Sequence, residues 1–173
     1  TRQFPIASGY AANIFNGDVV KLVNTGNIEK DTGTATATPV GVFVGCSYTS
    51  PALGYQLFSQ YYPTGTVASD IVAYVIDDPD ALFKVAVTAA GTDNIATVAR
   101  TAVGNNSVLI QTAGSTATGD SKISISSTTA TTATQPIRII DVVPETATGA
   151  DAFVEVIVKW NFGMHQYQNA TGV

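Results

Sequence analysis

The sequence predicts a mainly β fold, a β-barrel or β-sandwich with at most one or two short helices, over 173 residues. Two observations carry this expectation. β-Branched residues dominate between clusters of Gly, Pro, Asn and Asp, and apolar residues repeatedly alternate with polar ones at period two. A single stretch shows helical spacing instead.

The strands follow in order from that alternation. "GDVVKLVN" (17–24) and "VGVFVGCSY" (40–48) are rich in Val and bounded by glycine or proline. "DIVAYVID" (70–77) and "LFKVAVTA" (82–89) flank an acidic proline motif, and "SVLIQTA" (107–113) follows an Asn-Asn pair. The segment 114–135, "GSTATGDSKISISSTTATTATQ", is low in complexity. The alternation of Ile123 and Ile125 nevertheless predicts an extended strand over "KISISS" (122–127). "PIRIIDVV" (136–143) and "AFVEVIVKWN" (152–161) form the last pair, joined as a long hairpin through "PETATGAD". In the final strand Val154, Val156, Val158 and Trp160 share one face, with Glu155 and Lys159 on the other. "NTGN" and "KDTG" supply turns. The helix falls in "TDNIATVARTAVG", with Thr92 or Asp93 as N-cap, Ile95, Val98, Ala99 and Ala102 on one stripe, and Gly104 as the stop. The chain reads as a single β-rich domain over 1–173, divisible, if at all, into two subdomains near 88–94.

Composition excludes several classes of function. Cys46 is the only cysteine, so neither an internal disulfide nor a cysteine zinc set can form. Within its alternating strand it reads as a small buried thiol. No run reaches the roughly 18 apolar residues of a membrane span, and the first ten residues lack the basic-then-apolar order of a signal peptide. A net charge of −5 argues against a phosphate-gripping surface, so neither nucleic acid nor membrane is expected as a partner. Charged residues are only 12% of the chain, too few for a monomer that must stay soluble alone, so some surface is expected to be covered by another chain.

The strongest candidate for chemistry is "IDDPDALFKVAV" (76–87), where Asp77, Asp78 and Asp80 surround Pro79. A calcium loop needs a glycine turn and a distal glutamate that this motif lacks. Pro79 fixes its own φ and pushes Asp78 toward extended backbone, while aspartates cap turns, so the motif reads as a corner between strands. His165, the single histidine, has no nucleophile motif beside it and reads as a surface or interface residue. The sequons at Asn105 and Asn169 carry no meaning without a secretory route. No glycine-rich phosphate loop is present. No catalytic residue, cofactor or metal ligand is therefore expected, and the chain is not expected to be an enzyme.

"YTSPALGYQLFSQYYPTG" packs Tyr48, Tyr55, Phe58, Tyr61 and Tyr62 into a polar stretch bounded by Pro and Gly. Large, stiff, amphipathic rings suit a protein–protein surface; packing of the rings on their own domain, or stacking on carbohydrate, are the other uses.

The successive pieces "FPIASGYAANIFNGDVVKLVNTG", "PVGVFVGCSYTSP", "FSQYYPTGT", "YVIDDPDALFKV", "TATGDSKISIS", "PIRIIDVV" and "VIVKWNFGMHQYQNATGV" resemble the capsid cement, or head decoration, proteins of tailed bacteriophages, of the type common in marine and cyanobacterial phages. The resemblance spans nearly the whole chain and lies in the order and spacing of structural motifs. It implies a β-rich subunit that assembles as a homotrimer on the outer capsid surface of the virion and ties together subunits of the phage major capsid protein. It also implies further residues ahead of Thr1, and it carries over no site residues. From a different class, the tyrosine-rich stretch and Thr/Ser-rich strands suit a host-surface or glycan-binding module of a phage fibre or adhesin.

Overall fold

In the computed structural model, which describes residues 1–173, the strands sort into two six-stranded sheets by sequence half. β1 (Arg2–Pro5), β2 (Val19–Leu22), β3 (Ile28–Lys30), β4 (Gly41–Thr49), β5 (Gln56–Ser59) and β6 (Val72–Ile76) form the first. Its order is β1-β6-β4-β2-β3, with β5 added to the far half of β4. β7 (Phe83–Thr88), β8 (Asn106–Ser107), β9 (Leu109–Ile110), β10 (Ser124–Ser126) and β11 (Ile137–Val142) belong to the second. A small ribbon of β12 (Ala147–Gly149) and β13 (Ala152–Phe153) precedes its last strand, β14 (Glu155–Trp160). The second sheet runs β8-β11-β14-β7-β10-β9. Neither sheet closes on itself, so the architecture is sandwich-like and not a closed barrel.

β4 shows how the sequence builds both layers. Phe43, Cys46 and Tyr48 point to one face, where they join Val20, Val40, Tyr62, Ala73 and Val75 in a core closed by the loops carrying Ile6 and Ile14. Val42 points to the other face, and with Val19 it packs on the second core, among Val87, Ile125, Ile139, Val156, Val158 and Trp160. The first sheet is therefore apolar on both faces near the start of β4. Phe43 and Cys46 share a face although they are three residues apart, because a bulge between Phe43 and Gly45 resets the alternation. Gly45 sits in the bulge with φ +146°, a conformation that L side chains rarely adopt.

The chain changes sheets at residues 77–82, between the end of β6 and the start of β7. The segment 88–94, where the sequence would place a division if the single domain had one, is a turn inside the second sheet, closed by the Ala89 N–H donating to the Asn94 carbonyl at 2.9 Å.

The expected helix does not form. Ile95 bridges to Thr88, Val98 bridges to Phe153, and only Arg100–Ala102 makes a 3₁₀ turn. The physical reason is competition. A short helix of β-branched residues is marginal on its own, whereas free edges of β7 and β13 offer this segment backbone partners at once. The Ala96 N–H donates to the Val87 carbonyl, and Val98 and Phe153 exchange both their bonds at 3.0 Å.

Candidate protein-contact surface

The acidic motif is a corner. The Asp78 carboxylate accepts the Asp80 N–H at 2.8 Å, and the Asp78 carbonyl accepts the Ala81 N–H at 3.1 Å, so the turn is held by Asp78 alone. Asp77 turns away to Arg2 and Tyr167, both at 2.9 Å from Oδ2. Asp80 meets Lys159 Nζ at 2.7 Å, and this ammonium holds the Asp80 carboxyl below its usual range. The three carboxylates thus face three different partners, and nowhere in the chain do three or more His, Cys, Asp or Glu side chains gather as a metal cage would require.

Cys46 lies buried, as its strand position implies, with the thiol 3.5 Å from the Tyr61 carbonyl. Burial pushes its pKa up to about 12, so the thiolate that a nucleophile needs does not form at neutral pH.

His165 corrects the expectation of a surface or interface residue, for it is wholly buried. Its ring lies between Trp160 and Tyr167, at centroid distances of 6.4 and 5.0 Å. The Tyr167 N–H donates to Nδ1 at 3.2 Å, which places the proton of the neutral ring on Nε2. That atom is buried without a hydrogen-bond partner, with the Val40 backbone nearby. The polar "WNFGMHQYQN" text gave no sign of this, because burial comes from the terminal segment folding back. The Gln166 side chain fixes that return by bonding both the N–H and the carbonyl of Leu22 in β2.

The five aromatic residues of the tyrosine-rich stretch divide. Tyr48 and Tyr62 are core residues, which removes them from the expected contact surface. Strand alternation explains Tyr48, which points inward with Cys46. Tyr62 bonds with Ile14 through both backbone groups, and its hydroxyl donates to the Tyr10 carbonyl at 3.2 Å. Tyr61 is half-buried and stacks on Phe15 at 5.5 Å. Phe58 and Tyr55 remain in solvent, 75% and 56% exposed.

Phe58 owes its exposure to register. It stands opposite Ser47 on β4, one residue out of phase with Cys46 and Tyr48, and so projects from the outer face. That is the same face that covers the second core at Val42. Beyond Val42 on this face Val44 and Phe58 are exposed, while Ser47 is buried and hydrogen-bonds the Tyr74 hydroxyl. Leu53 and Tyr55 extend the apolar surface over the β4–β5 turn, and Val67 adjoins it across a shallow depression walled by Pro51. The Asp70 carboxylate braces this end by accepting the Thr49 N–H and hydroxyl. Leu53 and Val67 escaped the sequence reading, which weighed only rings. No protein-family model, curated protein or solved structure matches the chain detectably.

Proposed function

We propose that the chain is a capsid decoration protein of a tailed bacteriophage, a homotrimer that sits on the outer surface of the mature head and bridges subunits of the major capsid protein. The reading rests on the sequence resemblance. The observation that supports it best is the group of large apolar side chains, Leu53, Tyr55, Phe58 and Val67, held in solvent on and beside one hairpin. Such a concentration marks a surface that another protein covers. Few charges compete there, and the role demands binding with no chemistry.

The mechanism is mass action. A ligand that binds the intact expanded lattice, and not its separated subunits, shifts the disassembly equilibrium toward the shell. At a free concentration about 100 times Kd, each occupied site contributes about 2.7 kcal/mol. Trimeric presentation adds avidity when three such hairpins engage together.

The test is to add purified protein to undecorated expanded heads and measure their melting temperature and rupture force. Both should rise, and Phe58→Ala should weaken attachment without changing the subunit's own stability. Light scattering should give a trimer at micromolar concentration. Saturating decoration that leaves the shell no stronger would overturn the cement role, and density at fibre tips instead of the head would favour a host-surface module.

A further inference from the structure

The second sheet splits. β10 runs parallel to β7 and pairs with it only at Val87 and Thr88, opposite Ile125 and Ser126. Upstream the two segments part, because Asp120 bridges to Asn16 and the Ser121 N–H donates to the Asn16 carbonyl. The first half of β7 therefore has β14 on one side and no strand on the other.

Which backbone groups face the gap follows from the ladder. The Val87 N–H donates to the Val154 carbonyl at 2.8 Å, so Val87 faces the β14 side. Residues along an antiparallel strand alternate in direction, so Val85 and Phe83 face β14 as well, and Lys84 and Ala86 turn their backbone groups the other way. The Lys84 N–H and carbonyl and the Ala86 N–H are left without a strand partner.

These groups border an apolar cleft of about 250 Å³. Val42 of the first sheet and Ile123, Val85 and Phe83 of the second lie on its walls, with Trp160 among the lining residues. The Trp160 indole N–H is buried and has no hydrogen-bond partner. Lys84 stands at one lip, paired with Glu155. Lys122, exposed between the lining residues Ser121 and Ile123, makes no ion pair, while the neighbouring Asp120 carboxylate is engaged by Gln60. A free strand edge, an apolar pocket beside it, and an unpaired cation in a chain with an excess of acids define complementary chemistry.

We propose that this cleft binds an extended segment of another polypeptide by strand addition. The segment pairs with Lys84 and Ala86, seats an aliphatic side chain between Val85 and Ile123, and sets an acidic residue against Lys122. Main-chain bonds supply affinity and the pocket supplies selectivity, as in other strand-addition sites. The inference is independent of the capsid role, since it rests on the second sheet and not on the hairpin.

The probe is an acetylated, amidated peptide, Glu-Val-Thr-Val-Thr-Glu, with a control whose first Thr is Pro. Trp160 is the only tryptophan, so its emission reports the cleft without background, and amide NMR shifts of Lys84 and Ala86 report the edge. The peptide should change both signals, and added salt should weaken it. Ala86→Pro removes the edge N–H and no bond to β14, and should weaken binding by about tenfold or more. Ile123→Phe, which fills the pocket and leaves the edge intact, should do the same and carries the test if the proline variant fails to fold. Unchanged Trp160 emission and Lys84 and Ala86 shifts at millimolar peptide, equal binding of the proline control, or undiminished binding by the folded variants would each overturn the proposal.

Discussion

The Tyr167 hydroxyl donates to Asp77 Oδ2 at 2.9 Å, and Arg2 Nε contacts the same oxygen at the same distance. One carboxylate at the corner between the sheets thereby fastens both ends of the chain. Arg2 also lies over the Tyr167 ring, 5.5 Å from its centroid, so the three side chains form a unit. Burial, together with the bond to Asp77, pushes the Tyr167 hydroxyl up to about 12 and keeps it a donor at all ordinary pH. Asp77→Ala should cost about 1–3 kcal/mol, because charge-assisted bonds to a largely buried oxygen are lost. Asp78→Asn keeps a side-chain oxygen for the turn and should stay within about 0.5 kcal/mol of the parent. Urea midpoints of the two variants measure the difference, and a larger loss at Asp78 would point to a role beyond the corner.

Phe43 and Phe58 test the division between core and contact surface. The Phe43 ring is wholly buried against Val20, Val40 and Val75, and Phe43→Ala should cost about 3–5 kcal/mol. Phe58→Ala removes a ring already in water and should change stability by no more than about 0.5 kcal/mol. Thermal unfolding of the isolated subunit separates the two. An unstable Phe58 variant would mean that the ring supports its own fold.

These two rings also mark how much the sequence disclosed. Alternation revealed the long strands, β4, β6, β7, β11 and β14, because each has one face against a core. It did not reveal β1, whose "RQFP" has a single buried residue, or β3 and β5, which are short and borrow their pairing from β2 and β4. Nor does aromatic density distinguish a ring that points inward from one that points outward. That depends on the bulge after Phe43, which shifts every later residue of β4 by one, and on the register that places Phe58 against Ser47. The corner was legible because Pro79 and the aspartates act locally. The buried His165 was not, since the groups around it beyond its neighbours Trp160 and Tyr167 come from more than 80 positions away, at Val40 and Asp77.

Gly41 probes how closely the strands of the first sheet approach. A side-chain carbon at this position would run into the Ile76 carbonyl and come within 2.8 Å of Val75 Cγ1. The obstacle is backbone of the neighbouring strand and cannot swing aside. Gly41→Ala should therefore cost about 1–3 kcal/mol through displacement of β6. Gly54, with open space around it, tests the other effect: its φ of +72° makes Gly54→Ala a purely conformational cost of about 1–2 kcal/mol. Parallel denaturation of both variants, with amide shifts in β6 as the local readout, should show movement at Ile76 only for Gly41→Ala.

His165 makes stability depend on pH in a defined direction. Burial is the dominant influence on the ring and lowers its pKa below the ordinary 6.5, outweighing the nearby Val40 carbonyl and the charges of Asp77 and Asp78, which pull upward. The unfolded chain therefore takes up the proton before the folded one does. Where the unfolded state binds more protons, stability rises with pH, so the contribution of neutral His165 is complete above about pH 6.5 and is lost as pH falls toward the folded value. Each unit of separation between the two values corresponds to about 1.4 kcal/mol. Asp80 and Asp70 are both lowered, so their contributions disappear only below the carboxylate range, whereas Asp31, raised by its burial, favours the fold as pH falls and so opposes the histidine. The urea midpoint should decline from pH 7 to pH 5 in the parent, and His165→Gln should flatten that decline while lowering the midpoint at pH 7. A parent midpoint that stays level across this interval would mean that the ring titrates at its ordinary value in the fold, and that the terminal segment opens to water more readily than its packing on Trp160 implies.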